Sequence, residues 1–287
     1  AGGTVGGVRP RYNVFTVDGV DNNDTSVTGP ATSVIQDAVE EFTLLTNNFN
    51  AEFGQGGGGQ FVTITKSGTN EFHGSLFGYL QSQRLNAAST SQERQLRAGE
   101  LTEKPKNRLI RYGGTIGGPI VRNKLFFFGA VERVHQDEEA SGSTYLAPTP
   151  LGLARIAAIP GVSQFVVNLL RNNLVLAQNT TTTQTVLGVP GIPFGEVTLN
   201  VPSGYRDNLF QINVDQLRGT TDQFRYRFSF DRFRAVQAGN GDPKFNNLVA
   251  FDSRLFSATW VRTFSPSLVN DLRLSYRRVI SDFPLQD

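Results

Sequence analysis

Residues 221–234 read Thr-Asp-Gln-Phe-Arg-Tyr-Arg-Phe-Ser-Phe-Asp-Arg-Phe-Arg, an alternation that is typical of a β-strand with two unlike faces. Between residues 223 and 231, one face carries the aromatic side chains of Phe224, Tyr226, Phe228 and Phe230. The other face is polar and includes Arg225, Arg227 and Asp231. In water such an aromatic face needs a second protein layer, whereas in a bilayer lipid covers it and the polar face lines a lumen. The pattern therefore favours a membrane strand with lipid on its aromatic side.

Six more segments with strand patterns accompany this one after residue 70. We predict strands near residues 71–81, 108–121, 124–135, 206–218, 221–234, 250–264 and 267–281. The last of them opposes Leu272, Leu274 and Tyr276 to a polar face that includes Arg273 and Arg277. Most of these segments are long enough to cross a bilayer at a tilt. The third is apolar on both faces near residues 126–128, so its register stays open.

The connections between these strands alternate in length. Short turns are predicted at Arg122-Asn123, Gly219-Thr220 and Ser265-Pro266, and long loops at residues 82–107, 136–205 and 235–249. Outer-membrane barrels have this layout, with short periplasmic turns and long extracellular loops. The pattern predicts an all-β transmembrane barrel, of which this chain supplies about 7 strands.

Two aromatic residues stand beside one of the short turns. Trp260 and Phe264 precede Ser265-Pro266, where a girdle at the periplasmic interface is expected. The alternative is a tryptophan buried in a soluble core.

The composition excludes several other classes of protein. No stretch approaches the roughly 20 apolar residues that a membrane helix needs. The absence of cysteine excludes disulfides and thiolate metal sites. Arginine is spread along the strands with acidic residues beside it, so no basic patch for nucleic acid is predicted. The chain contains no methionine, and we interpret it as an internal piece of a longer protein, with any signal peptide upstream.

Residues 1–70 have a different texture and are predicted to form a small α+β unit. We predict strands at 12–17, 42–46 and 60–66 and a short helix from Pro30 to Val39. The boundary with the barrel is placed near Asn70, which gives domains at 1–70 and 71–287.

Motifs for enzymes and cofactors fail on inspection. The glycines of residues 54–59 lead into a strand, whereas a dinucleotide site needs a helix there. Asp18, Asp21 and Asp24 lack the spacing of a calcium-binding loop. They indicate a turn in which Asp and Asn side chains bond to nearby backbone groups. The two histidines, His73 and His135, lie on separate strands. We predict no catalytic, cofactor or metal site, and calcium binding by the long loops stays open.

The loop at 136–205 contains helix-like stretches at residues 151–159 and 163–170. It is either a solvated excursion or a lid that contacts a ligand.

A series of motifs between residues 17 and 80 resembles the plug-to-barrel junction of TonB-dependent outer-membrane receptors, in particular the Oar-like branch with its carboxypeptidase-regulatory-like domain. The motif residues are Asp18, Gly19, Glu41, Phe42, Asn48, Phe53, Gly54, Gly59, Lys66, Ser67, Gly68, Thr69, Asn70, Phe72, His73 and Gly74. Residues 113–120 and 124–128 are similar to the second and third strands of that branch. The run of glycines at 56–59 departs from the usual pattern.

This resemblance implies a barrel of about 22 antiparallel strands that is closed by a plug domain. Residues 1–70 would be the C-terminal part of that plug. It also implies active transport of a large or scarce extracellular ligand across the bacterial outer membrane, energised by the TonB-ExbB-ExbD complex through a segment upstream. Outer-membrane lipid would surround the barrel, and Arg225, Arg227, Arg273 and Arg277 are candidate partners of the plug or lumen-solvating residues. The alternatives are a passive porin or adhesin-type barrel and a soluble secreted β-sheet binding module.

Overall fold

The computed structural model describes residues 3–24, 29–47, 49–50, 56–98, 104, 106–140, 144–198, 201–237 and 247–284. Within them the strands form three sheets of four, three and seven strands. No helix in the described ranges is both long and apolar enough to cross a membrane.

The four-stranded sheet lies in the described part of residues 3–70, which we term the N-terminal unit. Its strands are β1 (Val14–Val17), β2 (Val20–Asp21), β3 (Val39–Leu45) and β4 (Gln60–Thr65), in the order β2-β1-β4-β3. Strands β1 and β4 are parallel, and the other pairs are antiparallel. 3-10 turns occupy Pro10–Tyr12 and Gln36–Ala38.

The helix predicted from Pro30 to Val39 is wrong, since only the turn Gln36–Ala38 forms there. Asn22 holds the preceding segment away from helical geometry. Its side chain donates to Thr32 O at 2.9 Å and accepts from Thr32 N at 3.0 Å, and its carbonyl accepts from Ala31 N at 2.7 Å. Ile35 is extended and almost fully buried. Tertiary burial therefore overrides the local helix signal.

The larger sheet begins with β5 (His73–Ser82), β6 (Asn107–Val121) and β7 (Leu125–Ala140), and helix α1 (Thr90–Ala98) lies between β5 and β6. An insert follows that has its own sheet, in the order β8-β10-β9. Its elements are β8 (Thr144–Pro148), α2 (Pro150–Ala157), α3 (Gln164–Asn173), β9 (Thr182–Val186) and β10 (Val189–Thr198).

The larger sheet then continues with β11 (Val201–Arg218), β12 (Asp222–Gln237), β13 (Asn247–Ser265) and β14 (Leu268–Asp282). Its order is β14-β13-β12-β11-β7-β6-β5, and all its pairs are antiparallel. Seven strands thus lie where the sequence predicts them, as a partial barrel wall.

The strands run further toward the long connections than the sequence patterns indicate. The predicted loop bounds of 136–205 are too wide, because β7 extends to Ala140 and β11 starts at Val201. Those of 235–249 are too wide as well, because β12 extends to Gln237 and β13 starts at Asn247. Backbone pairing continues there, for example between Asp137 and Gly204, where side-chain alternation is lost. Backbone hydrogen bonds need no apolar face, and hydropathy therefore underestimates these strands.

One face of the seven-stranded sheet is covered by the N-terminal unit. Phe128, Ala130 and Leu209 on this face pack against Ile35 and Ala38. A second cluster joins Leu255 of β13 to Val17 and Val20. The register of β7 is thereby settled, with Phe128 turned toward the N-terminal unit and 1% exposed. The opposite face, which we term the outer face, leaves large apolar side chains uncovered, among them Leu76, Ile116, Phe210, Tyr226, Phe256 and Leu274.

Candidate functional site

The candidate site is the polar interface between the N-terminal unit and the larger sheet, formed by Asp18, Thr65 and Ser67 on one side and Asn213, Asp215 and Arg227 on the other. Arg227 lies at its centre and is 7% exposed. Its Nη2 donates to Asp215 Oδ1 at 2.8 Å and to Ser67 Oγ at 3.1 Å. Its Nε lies 3.8 Å from Asp18 Oδ2. One guanidinium therefore joins two carboxylates from the two parts of the chain.

The sheet register brings Arg227 and Asp215 together. Asp215 pairs directly with Arg225, and Arg227 is the diagonal neighbour on the same face. Asp18 comes from the turn between β1 and β2, where it and Gly19 both have positive φ, 50° and 78°. An Asp-Gly pair is the preferred sequence for such a two-residue turn. The turn carries the Asp18 carboxylate toward the larger sheet.

Asp18 is fixed by β4 as well. Its Oδ1 accepts from Thr65 N at 3.0 Å and its Oδ2 from Thr65 Oγ1 at 2.7 Å. Burial raises the pKa of Asp18 above its ordinary value of 3.8, although these bonds and the Arg227 charge act in the opposite direction. Desolvation of the carboxylate thus outweighs its partners.

Asn213 of β11 also hydrogen-bonds to the end of β4. It is fully buried, and its Nδ2 donates to Thr65 Oγ1 at 2.9 Å and to Lys66 O at 2.7 Å. The hydroxyl of Thr65 therefore donates to Asp18 and accepts from Asn213. A continuous hydrogen-bonded chain results across the two units.

A second contact lies nearer the long connections. Thr32 Oγ1 and Ser253 Oγ are 2.5 Å apart and buried. Ser33 N donates to Asp231 Oδ2 at 2.9 Å, and Asp231 is 2% exposed. Each of these bonds joins the segment after Pro30 to the face of the sheet that the sequence predicts to be polar.

Strand β14 supplies two more contacts to the turn between β1 and β2. Arg273 Nη1 donates to Gly19 O at 3.3 Å, and Arg277 Nη1 donates to Asp21 Oδ2 at 3.1 Å. A Cβ on Gly19 would lie 2.2 Å from Arg273 Nη1, so the arginine packs where a side chain would stand. Arg225 is exposed, and the hydrogen bond found for it in the described part of the chain goes to Gln223 Oε1 at 3.2 Å.

The motif residues named in the sequence analysis, here called junction residues, include the segment that links the two units. Asn70 and Asn123 bond reciprocally: Asn70 Nδ2 donates to Asn123 Oδ1 and Asn123 N donates to Asn70 Oδ1, both at 2.8 Å. A Cβ on Gly68 would lie 2.2 Å from Phe127 O, so the link passes directly against the sheet. The Phe72 ring is 6.3 Å from that of Phe127.

The remaining junction residues have more local roles. Lys66 Nζ donates to Asp37 O at 2.9 Å, and Gly59 N donates to Asn13 Oδ1 at 3.0 Å. Thr69 Oγ1 and His73 Nδ1 both lie close to Glu71 O. The backbone of Gly74 pairs against β6, with Thr115 O 2.4 Å from a Cβ built there.

Two junction residues stay on the surface of the N-terminal unit. Glu41 accepts from Thr43 Oγ1 at 3.0 Å, and Phe42 is 58% exposed. Asn48, Phe53 and Gly54 lie outside the described residues.

The predicted aromatic residues lie on the outer face. Phe224 and Trp260 stack with centroids 6.1 Å apart and rings 2° from parallel, and Trp260 Nε1 donates to Asp222 Oδ1 at 2.9 Å. Phe264 is 57% exposed beside the turn, with Arg262 over its ring. Phe228 and Phe230 continue the face along β12, each directly opposite a residue of β11, Ile212 and Phe210.

The sequence does not identify several residues of the interface as site residues. They are Thr32, Ser33, Thr65, Asn213, Asp215 and Ser253. For the strand residues the sequence does carry a signal: Asn213 and Asp215 alternate with the apolar Ile212 and Val214, which puts both polar side chains on the face opposite the apolar one. Thr32 and Ser33 carry no such signal because their segment has no regular structure. Within the described ranges no group of three or more His, Cys, Asp or Glu residues is arranged to hold a metal ion.

Three comparisons with known proteins show what this chain is similar to. A family model described as "Outer membrane beta barrel domain" matches residues 64–287. The chain belongs to the outer membrane β-barrel domain family.

As a member of that family, the protein is located in the bacterial outer membrane. It is 32% identical over 130 residues to the TonB-dependent transporter Oar of Myxococcus xanthus, a match that spans 44% of this chain and 12% of that protein. Among solved structures, the siderophore receptor PirA of Acinetobacter baumannii aligns with 98% of this chain and 42% of its own, at 12% identity and a TM-score of 0.39. The outer membrane β-barrel chain thus spans a minor part of both relatives.

Proposed function

We propose that this chain is the junction of a TonB-dependent outer-membrane transporter, in which residues 1–70 belong to the plug and residues 71–287 begin the barrel. The transporter would take up a large or scarce ligand, with energy delivered by the TonB-ExbB-ExbD complex. The similarity to Oar supports this class of protein. The observation that carries the proposal is the polar interface.

A plug must hold the lumen closed and also move when it is pulled. Side-chain contacts between the N-terminal unit and β11, β12, β13 and β14 are mainly hydrogen bonds and ion pairs, with two small apolar clusters between them. Polar groups on both sides regain hydrogen bonds from water when they separate. Such an interface is released at lower cost than a wide apolar core of the same area.

The faces of the sheet fit the same proposal. The outer face, with Phe224, Tyr226 and Trp260, would meet lipid, and the covered face would line the lumen. A passive porin needs no folded unit against its lumen face. A soluble module would cover its aromatic face with protein.

Locking the N-terminal unit to the barrel tests whether it must move. Thr32 Oγ1 and Ser253 Oγ are close enough for a disulfide after Thr32→Cys and Ser253→Cys, and the chain has no other cysteine. We expect the oxidised full-length protein to lose uptake and to regain it on reduction. Suitable substrates are found first by screening ferric siderophores, oligosaccharides and peptides for uptake that depends on the gene.

The control is a disulfide within the barrel wall. Ser75 Oγ and Thr115 Oγ1 are 2.9 Å apart on β5 and β6, so Ser75→Cys with Thr115→Cys crosslinks two strands of one sheet. This variant should transport normally when oxidised. Full uptake by the oxidised Thr32-Ser253 variant would rule out plug movement at this interface.

A further inference from the structure

The outer face carries a set of arginines on the side of the long connections. They are Arg133, Arg206, Arg232, Arg234, Arg254 and Arg278, and all are exposed. The strand register places them in neighbouring rows: Arg206 is opposite both His135 and Arg234, and Arg254 is opposite Arg278. They therefore form one continuous basic belt across β7, β11, β12, β13 and β14.

Acidic residues neutralise only part of this belt. Asp252 Oδ1 lies 2.9 Å from Arg234 Nη1 and 3.3 Å from Arg232 Nε. Among the described residues, neither Arg133 nor Arg206 forms an ion pair with a carboxylate. These two guanidinium groups are thus available to an anion from outside the protein.

The belt borders an apolar groove on the same face. The groove has a volume of about 970 Å³ and is lined by Leu76, Tyr112, Ile116, Val131 and Phe210. Gly114 and Gly129 also line it. A second cavity of about 410 Å³ shares Tyr112, Val131 and Phe210 and adds Arg133 and Asn208. The two cavities together form a continuous path from the apolar groove to Arg133.

We propose that this path binds a phosphate-bearing lipid of the outer leaflet, with an acyl chain in the glycine-lined groove and the phosphate on Arg133 and Arg206. The long connections mark this end of the sheet as the extracellular end, so the belt lies at the level of the outer headgroups. Arginines on a lipid-facing surface are tolerated near the interface and disfavoured deeper in the bilayer. The planar guanidinium binds phosphate in a bidentate manner.

Lipid A, a phosphorylated glycolipid, is a suitable probe. Purified full-length protein in a neutral detergent is titrated with lipid A, and bound lipid is counted by native mass spectrometry. We expect the double variant Arg133→Gln, Arg206→Gln to bind about 25-fold more weakly, the loss of two arginine contacts to an anionic headgroup. The matched control is Arg218→Gln with Arg262→Gln, which removes the same charge from the turn end of the same face and should bind normally.

The groove is tested separately by Gly129→Leu. A Cβ at this position meets nothing closer than Ile116 Cγ2 at 3.9 Å, so leucine fits and occupies the groove. Binding of lipid A should fall, while heat-dependent migration on a gel stays that of the folded protein. This variant leaves every arginine in place.

Two measurements on the unmodified protein need no variant. Dephosphorylated lipid A should bind much more weakly, and inorganic phosphate should not displace lipid A. Equal binding of the dephosphorylated lipid, or displacement by inorganic phosphate, would overturn the proposal. So would unchanged affinity in the folded double arginine variant.

Discussion

At the residue scale, the buried charge of Arg227 is shared between two carboxylates and is incompletely satisfied. Arg227 Nε and Asp215 Oδ2 are both buried without a hydrogen-bond partner in the described structure. The contact from Nε to Asp18, at 3.8 Å, has the range of an ion pair but not of a hydrogen bond. A buried ion pair of this kind fixes geometry more than it adds stability. This property suits a contact that is made and broken.

We predict that Arg227→Gln loosens the N-terminal unit without unfolding the sheet. Removing the cation leaves Asp215 buried beside Asp18 with no positive partner, at a cost of about 3–5 kcal/mol. The measurement is the denaturant midpoint for proteolytic release of the N-terminal unit from the full-length protein. Arg225→Gln is the control, since Arg225 is exposed two positions away and should shift stability by less than about 0.5 kcal/mol. Equal midpoints for the two variants would contradict the central position of Arg227.

The sequence predicts which residues of β12 and β14 turn toward the N-terminal unit, because the alternation of Arg227, Arg273 and Arg277 with aromatic or apolar neighbours is regular. It does not predict what they contact. The partners Asp18, Gly19 and Ser67 belong to turns and links that lie about 160 to 254 residues earlier in the chain. Their positions depend on how the two units pack, which no local pattern encodes.

At the element scale, the insert between β7 and β11 is the part that the sequence describes least well. Its two helices lie close to the predicted stretches, but the sheet of β8, β9 and β10 was missed. The threonine run of β9 reads as a loop because it is short and polar. The sheet is stabilised within the insert, where Ala147, Ala177 and Val197 form a separate buried cluster.

We predict that this insert can be excised without loss of the barrel wall. Ala140 and Val201, which flank it, are directly paired at the ends of β7 and β11. Replacing residues 141–200 with a two-residue Asn-Gly turn should therefore preserve folding, since a tight turn suits adjacent antiparallel strands. Heat-dependent migration of the full-length variant checks the fold, and uptake of the screened substrates checks whether the insert contacts them. A variant that no longer shows heat-dependent migration would mean that the insert stabilises the wall.

At the scale of the whole molecule, the two faces of the larger sheet meet two different environments. The outer face is apolar in its middle and basic toward the long connections, and the covered face meets a folded unit through polar groups. A passive pore would keep the covered face permanently closed or permanently open. An energised transporter must expose the covered face when energy is delivered and cover it again afterwards.

We therefore predict that the buried face becomes accessible only in cells that contain TonB. Ser253 is fully buried under the N-terminal unit, so Ser253→Cys is the sole thiol of the chain and reports its movement. A maleimide that does not cross the inner membrane should label it in energised cells supplied with a screened substrate, and much less after deletion of TonB or collapse of the proton gradient. Ser267→Cys, in the exposed turn between β13 and β14, should label equally in all conditions. Equal labelling of Ser253→Cys with and without TonB would favour a porin, because the N-terminal unit would then move by thermal fluctuation alone.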